Sequence, residues 1–414
     1  MEYRYSCPNC GYESTTTERR SNPECPQCFS LLNEEISDAG SEMFDRISAA
    51  LSGRADVRRI SLLKNNSYLV EFSGTPEDMD SVRSALEPIG RDVYTRERDN
   101  RFFAILLDRA QTPSQKGITS HPLFYVGLLA ATILSTVFAG YILSQPLVDD
   151  GLMGNVWTGA LSFSFGLLAI LGCHEMGHKI QSIRSGIDAT WPYFIPMPFL
   201  PLGTLGALIR IKSAIPTRDD AVKLGVSGPI VGFLVSIPVI LAGMRLSYVV
   251  PVGPVEQGGV YLGDSILFAV LRIAAVPNVP DGMGLWIHPL AFAGWVGLFI
   301  TMLNLLPMGQ LDGGHVTRAV LGDKGHRRLS GVLVKALIGV GLVGMLSDYG
   351  VIDAGGYVWS GWLIWGVIGH FVTKGGHPGP LDDISPLSRN AKVLSAIGLA
   401  VFVLCFIPVP IVVA

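Results

Sequence analysis

Charge is sparse in this sequence. Only 16% of its 414 residues are Asp, Glu, Lys or Arg, against 49% hydrophobic residues and 48 glycines, and the mean hydropathy is positive. Such a balance points away from an ordinary soluble domain and towards a polytopic membrane protein with the lipid bilayer as its solvent. Net charge is equally scarce, at -3, so no broad electrostatic field is available for nucleic acid and none is expected as a partner. Cysteine is rare as well: six in all, four of them within the first thirty residues. An oxidised disulfide framework is a poor reading of that distribution. Also missing is an apolar core in the opening MEYRYSCPNC, so no signal peptide is read there and the N-terminus is expected to stay in the cytoplasm.

What the N-terminal stretch does have is two CxxC pairs, CPNC (Cys7, Cys10) and CPQC (Cys25, Cys28). Two thiolate pairs in tight turns can close an all-sulfur tetrahedral shell on zinc, which replaces the core that so short a module cannot build. Residues 1–32 are therefore expected to be a zinc ribbon with a structural zinc. Residues 33–115 alternate helix-like and strand-like stretches: SEMFDRISAALSG as a helix, RISLLKNNSYLVEFSG as two strands, TPEDMDSVRSALEPIG as a capped helix and RFFAILLDR as a strand. A small α+β cytoplasmic domain is expected, with no catalytic pattern and with a regulatory partner as its possible use.

Residues 116–414 are expected to form the transmembrane domain. Seven apolar runs of roughly 18–24 residues, the length that crosses a hydrocarbon core of about 30 Å, lie near 122–143, 157–178, 224–246, 286–307, 331–347, 356–373 and 392–412. Basic residues cluster in alternate connections, with Lys179, Arg184, Arg210, Lys212, Arg218 and Lys223 in one, Arg318, Lys324, Arg327 and Arg328 in the next, and Lys374, Arg389 and Lys392 in a third. Positive-inside counting puts these connections, and the end of the second run, on the cytoplasmic side.

That second run reads FGLLAILGCHEMGHKI. His174 and His178, four apart on a helix, share one face and can reach one metal ion, while Glu175 projects close to that face, placed to act as a general base without being a ligand. Ionisable groups in a span cost on the order of 2.5–3.5 kcal/mol each, so an accidental cluster there is a strained explanation. A hydrolytic zinc takes three protein ligands. The fourth run, LFITMLNLLPMGQLDGGHV, supplies Asn304, Pro307, Asp312 and His315 at the same expected depth. Asp312 is the better third ligand, following an apolar run and flanked by Gly313 and Gly314, with His315 competing. Pro307 should open the helix and free a carbonyl.

HEMGH at 174–178 with NLLPMGQLDGG at 304–314 resembles the two signatures of the site-2 proteases, intramembrane zinc metalloproteases with an HExxH motif and an NxxPxxxxDG motif. GTLGALIRIKSAIPTRDDAVKLGVSGPIVGF at 203–233 and PLDDISPLSRNAK at 380–392 are similar to further parts of that family. The resemblance implies His174, His178 and Asp312 as ligands of a catalytic zinc and Glu175 as the general base. It makes Asn304 a residue near the substrate or the developing oxyanion, and so a substrate-binding one. The implied activity is hydrolysis of peptide bonds in or near the membrane segments of single-span proteins. Because a helix in lipid has every carbonyl bonded internally, the substrate must unwind, and GTLGALIRIKSA is expected to form a re-entrant hairpin whose edge accepts it as an added strand. The proline-rich WPYFIPMPFLPLG at 191–203 is read as a lid, a guide or an interfacial anchor. The rival readings are a membrane metal transporter, which needs no glutamate after His174, and an inactive homologue that binds membrane proteins.

Overall fold

The structure is a computed structural model that describes residues 3–6, 13–16, 33–36, 38–63, 67–73, 75, 78–98, 101–107, 122–251, 260–354, 357–374 and 376–413. The chain divides into two compact units, residues 1–113 with 381–384, and residues 114–380 with 385–414.

In the first unit, β1 (Tyr3–Ser6) lies between β2 (Glu13–Thr16) and β3 (Asn33–Ile36) in an antiparallel sheet. The four cysteines expected to hold a structural zinc fall in the β1–β2 and β2–β3 connections, outside the described residues. A second sheet follows: α1 (Asp38–Leu51), β4 (Asp56–Leu63), β5 (Ser67–Ser73), α2 (Asp78–Leu86), β6 (Asp92–Arg98) and β7 (Arg101–Leu107), with strand order β4-β5-β7-β6. Alternation fixes its inner face. Tyr68, Val70 and Phe72 of β5 and Phe102, Ala104 and Leu106 of β7 are buried, and Ile47, Leu51, Met79, Val82 and Leu86 of the helices complete that core. The Asp78 carboxylate accepts from the Thr75 amide at 2.7 Å ahead of α2, the cap read in TPED. β6 was not expected, because DVYTRER has the charge of a loop. It is an edge strand, where polar residues are tolerated, and the C-terminal residues 381–384 join it: the Thr95 amide donates to the Leu381 carbonyl at 2.8 Å and Arg96 pairs with Asp383 at 3.6 Å.

The second unit comprises α3 (Pro122–Asp149), α4 (Val156–Arg184), β8 (Tyr193–Pro196), β9 (Thr204–Leu208), α5 (Arg218–Arg245), β10 (Tyr248–Pro251), β11 (Val260–Leu262), α6 (Ile266–Ala275), β12 (Met283–Trp286), α7 (Pro289–Asn304), α8 (Asp312–Asp348), α9 (Gly361–Lys374), α10 (Arg389–Cys405) and β13 (Ile411–Val413). Among the described residues four helices are long and apolar enough to cross a membrane, namely Leu123–Asp149, Val156–Arg184, Arg218–Arg245 and Asp312–Asp348. This falls short of the seven expected spans. The run at 286–307 contains the end of β12, a helix cap and a turn besides the 16 residues of α7, which rise about 24 Å. α9 has 14 residues and α10 has 17, the run around α10 being prolonged by a turn and β13. Hydropathy adds such pieces together, whereas a helix ends where its backbone bonds end. The run at 331–347 belongs to α8, which begins at Asp312 and is broken once, at Gly322 with φ 69° and ψ −178°.

The former lid and hairpin stretches are one element. β8, from the proline-rich segment, pairs antiparallel with β9 from Tyr193↔Leu208 to Pro196↔Thr204, and an isolated bridge between Ala189 and Ile211 prolongs it. The prolines lie at the strand ends and in the turn, where no ladder N–H is needed. Phe199 at its tip is 93% exposed.

α5 lies against both α4 and α7, and small residues set the spacing. Gly243 meets the backbone of Ala291, and Gly294 meets Ile240. A side chain at either would force the helices apart. Gly243→Leu is therefore expected to lower the stability of the detergent-solubilised chain by about 1–3 kcal/mol, read from the thermal unfolding midpoint. Gly127→Ala, whose added methyl meets nothing within 4 Å, should leave the midpoint where it was.

Candidate metal centre

The polar residues of the second unit converge where the end of α4 meets the beginning of α8. α4 carries His174, Glu175 and His178 in its last turns, and these are 3%, 7% and 6% exposed. Asp312 is the first residue of α8, so its carboxylate sits where the helix dipole favours negative charge. The turn that delivers it, Leu305–Leu311, begins where α7 ends ahead of Pro307, as the restriction on residues before proline dictates. The Pro307 carbonyl does not open into the site: Ser330 Oγ donates to it at 3.0 Å. Gly313 faces the Leu305 carbonyl so closely that a Cβ would overlap it, which is the packing reason for glycine after Asp312.

Three ligand atoms form a nearly equilateral triangle. His174 Nε2 and His178 Nε2 lie 3.2 Å apart, and Asp312 Oδ2 is 3.3 Å from the first and 3.2 Å from the second. Ligands at about 2.0–2.1 Å from a tetrahedral zinc are separated by about 3.3–3.4 Å. The triangle therefore has the dimensions of one face of that tetrahedron. No other group of at least three His, Cys, Asp or Glu with this proximity occurs among the described residues.

Proton placement supports the same fit. His178 Nδ1 is 2.9 Å from the Leu224 carbonyl. A carbonyl can only accept, so Nδ1 carries the proton and Nε2 of the neutral ring presents its lone pair towards His174 and Asp312. Two nitrogens and a carboxylate oxygen facing one another at this distance suit a shared cation better than they suit each other. The residues present fit zinc.

Room for the two rings comes from α5. A Cβ on Gly228 would coincide with the His178 ring, and one on Gly232 would stand 3.0 Å from His174 Nδ1. Pro229 next to them deprives the Gly225 carbonyl of its helical donor. Neither the HEMGH nor the NLLPMGQLDGG motif points to this contribution, nor to the Leu224 carbonyl or to Ser227, whose Oγ is 3.4 Å from His178 Nδ1. The spacing of Gly225, Gly228 and Gly232 on one helical face was the available signal.

Glu175 stands beside the triangle rather than in it, with the backbone of Ile209, just past β9, near its carboxylate. Asn304, the last residue of α7, has its Nδ2 3.2 Å from His174 Nε2. His315 does not join the ligand atoms, since its Nδ1 faces His377 Nε2 at 2.9 Å. His288 caps the far end of α7, and His370 lies on α9. Lys179, next to the second histidine, is buried and spends its charge on the Ala189 carbonyl at 2.6 Å and on the Trp191 ring.

A multi-pass membrane protein with a His-His-Asp centre and an adjacent carboxylate is thus defined by fold and site. Residues 162–347, which contain all of these groups, match the model of peptidase family M50. Among similar proteins is the probable zinc metalloprotease EGY1, chloroplastic, of Arabidopsis thaliana, 31% identical over 264 residues, or 60% of this chain and 43% of that one. The probable zinc metalloprotease EGY2, chloroplastic, of Oryza sativa subsp. indica is 29% identical over 260 residues, 62% of this chain and 43% of its own. The probable zinc metallopeptidase EGY3, chloroplastic, of Arabidopsis thaliana is 25% identical over 355 residues, 78% and 56% of the two chains. The chain spans about half the length of these relatives. No solved structure matches it. The part of the chain that holds the metal centre is thus similar to peptidase family M50, the site-2 protease family that its two motifs resemble.

Gly228→Ala puts a methyl where the His178 ring stands. Zinc affinity of the purified protein is expected to fall by about 10–100-fold, the scale of a displaced ligand support, with helix content by circular dichroism unchanged.

Proposed function

We propose that this chain is an intramembrane zinc metalloprotease that hydrolyses peptide bonds in or near the membrane segments of single-span proteins. The observation that carries the reading is the triangle of His174, His178 and Asp312 with Glu175 buried beside it. The relatives' names, zinc metalloprotease, support it. A metal transporter would use such ligands for passage and has no need of a fixed carboxylate next to them.

His174, His178 and Asp312 would hold the ion, which when bound supplies Lewis acidity for a peptide carbonyl and for water. Glu175 takes the proton of the attacking water and returns it to the leaving amine. The nearby Ile209 amide is placed to help orient the carboxylate. Asn304, at 3.2 Å from His174 Nε2, is available to donate to the substrate carbonyl oxygen as charge develops there. The walls around these groups are α4, α5 and α7, which exclude bulk water from the reacting atoms.

The substrate enters unwound. β9 pairs with β8 alone among the described strands, leaving its other edge for an extended peptide. The half-exposed Leu205 on that strand and the exposed Phe199 at the hairpin tip are apolar, as suits a re-entrant hairpin in contact with lipid. The strand leads to Ile209 and hence to Glu175, so a peptide added along it is carried to the general base. Substrates of this kind are anchors or remnant signal peptides cut in regulated intramembrane proteolysis. We place the protein in the cell membrane with its N-terminus and the metal centre towards the cytoplasm. Arg184 at the end of α4 and Arg218 at the start of α5 flank the centre and agree with that side. Cys7, Cys10, Cys25 and Cys28 would hold the second, structural zinc, and the N-terminal unit would receive a regulatory partner.

The test is cleavage of a single-span substrate by the purified chain in detergent. Glu175→Gln is expected to cut the rate by at least about 10²-fold with zinc still bound, and removal of zinc by a chelator to abolish cleavage until zinc is restored. Cleavage indifferent to both treatments would remove the assignment.

A further inference from the structure

Behind the start of α8 lies a second group of imidazoles, His315, His326 and His377, to which the reaction assigns nothing. His377 belongs to the strap of residues 376–380 that follows α9, and it is 6% exposed. Its Nδ1 accepts from the Gly379 amide at 2.9 Å, so the proton of the neutral ring is on Nε2. That Nε2 is 2.9 Å from Nδ1 of His315, with the two rings edge to face at 84°. The direction of donation is thereby fixed: amide to His377, His377 to His315. Burial, aided by His315, His326 and Arg318, holds His377 well below the usual imidazole range, in the neutral form this chain of donors requires.

The strap grips α8 one turn further on as well. Gly379, at φ 73°, lies so close to Arg318 that a Cβ would stand 2.6 Å from its Nη2. From the other side Thr317 Oγ and His326 Nδ1 are 3.0 Å apart, and Ser330 holds the Pro307 carbonyl of the preceding turn. The first ten residues of α8, ahead of the break at Gly322, are thus held at positions 315, 317 and 318, all within two turns of Asp312.

We infer that His377, acting through His315, is a positioning residue for Asp312: the imidazole pair sets the rotation of the first turn of α8 and so the reach of the carboxylate to both histidines of α4. The inference rests on the metalloprotease reading for the identity of the ligands. A ligand set works only when held within about 0.5 Å and 10–20° of its geometry, and Asp312 stands on the first turn of a helix, whose backbone amides have no intrahelical partners to stiffen it. An apolar residue at 377 could fill the volume, but it would leave the Gly379 amide and His315 Nδ1 buried without partners. A hydrogen-bonded ring fixes both distance and angle. His315, one turn beyond Asp312 on the same face, is where that constraint reaches the ligand most directly.

The experiment compares wild type, His377→Ala, His377→Gln and His178→Ala as full chains purified in detergent. Zinc retention is titrated with a competing chelator, and the signal counted is the zinc held beyond that of His178→Ala, which subtracts any zinc bound elsewhere. His377→Ala is expected to weaken that zinc by about 10–100-fold and to lower kcat on a single-span substrate at unchanged KM. His377→Gln, whose amide can accept from Gly379 and donate to His315, should recover most of both. Unchanged retention in His377→Ala, or a glutamine variant that folds yet holds zinc no better than the alanine one, would overturn the inference. Wild type holding no more zinc than His178→Ala would instead refute the metalloprotease reading itself.

Discussion

Two imidazole nitrogens and a carboxylate oxygen stand 3.2–3.3 Å from one another among apolar helices, and the rest of the second unit is arranged around that fact. Charge and unpaired lone pairs are costly in such surroundings, and a divalent cation at the centre would convert the cost into binding. The cation cannot gather its ligands from a loose bundle, however. The groups must be brought together by the protein first, and each neighbouring element contributes a device for doing so.

α5 contributes absence of side chains. Gly228 and Gly232 let the rings of His178 and His174 lie against its backbone, and the Leu224 carbonyl decides which nitrogen of His178 stays free. The turn between α7 and α8 contributes irregular backbone at a depth where such backbone is tolerated only when buried in protein. Its carbonyls meet that condition from within: Ser330 reaches Pro307, and the break in α8 at Gly322 lets the later part of the same helix fold back far enough to do it. The ligand geometry therefore depends on backbone groups and glycines at least as much as on the three ligands.

This division explains what could be read from the residues in order. HEMGH was legible because an interval of four on a helix fixes its own geometry, and Asp312 was legible because a lone carboxylate after an apolar run has few other uses. The number of spans was not legible, since hydropathy at 286–307 and 392–412 does not register where α7 and α10 end. The hairpin was seen by half: the small-apolar alternation of 203–214 announced β9, whereas β8 was hidden by the prolines at 192, 196, 198 and 201. The partners of His178 and His315 were out of reach altogether. One is a main-chain carbonyl and the other a histidine 62 positions away, and neither leaves a local pattern. β6 escaped because edge strands may be charged, and a charged strand looks like a loop until its partner is known.

Glu175 is the point at which the local and the long-range parts of the site meet. α4 alone would place it beside the ligands, by the same interval that aligns the two histidines. Its carboxylate also lies near the Ile209 amide, and Ile209 continues directly from β9. The amide is available only while the hairpin occupies its present position against α4. A peptide that paired with the strand and displaced it would change the surroundings of Glu175 in the same movement. The position of the hairpin and the surroundings of the Glu175 carboxylate are therefore mechanically linked in this fold.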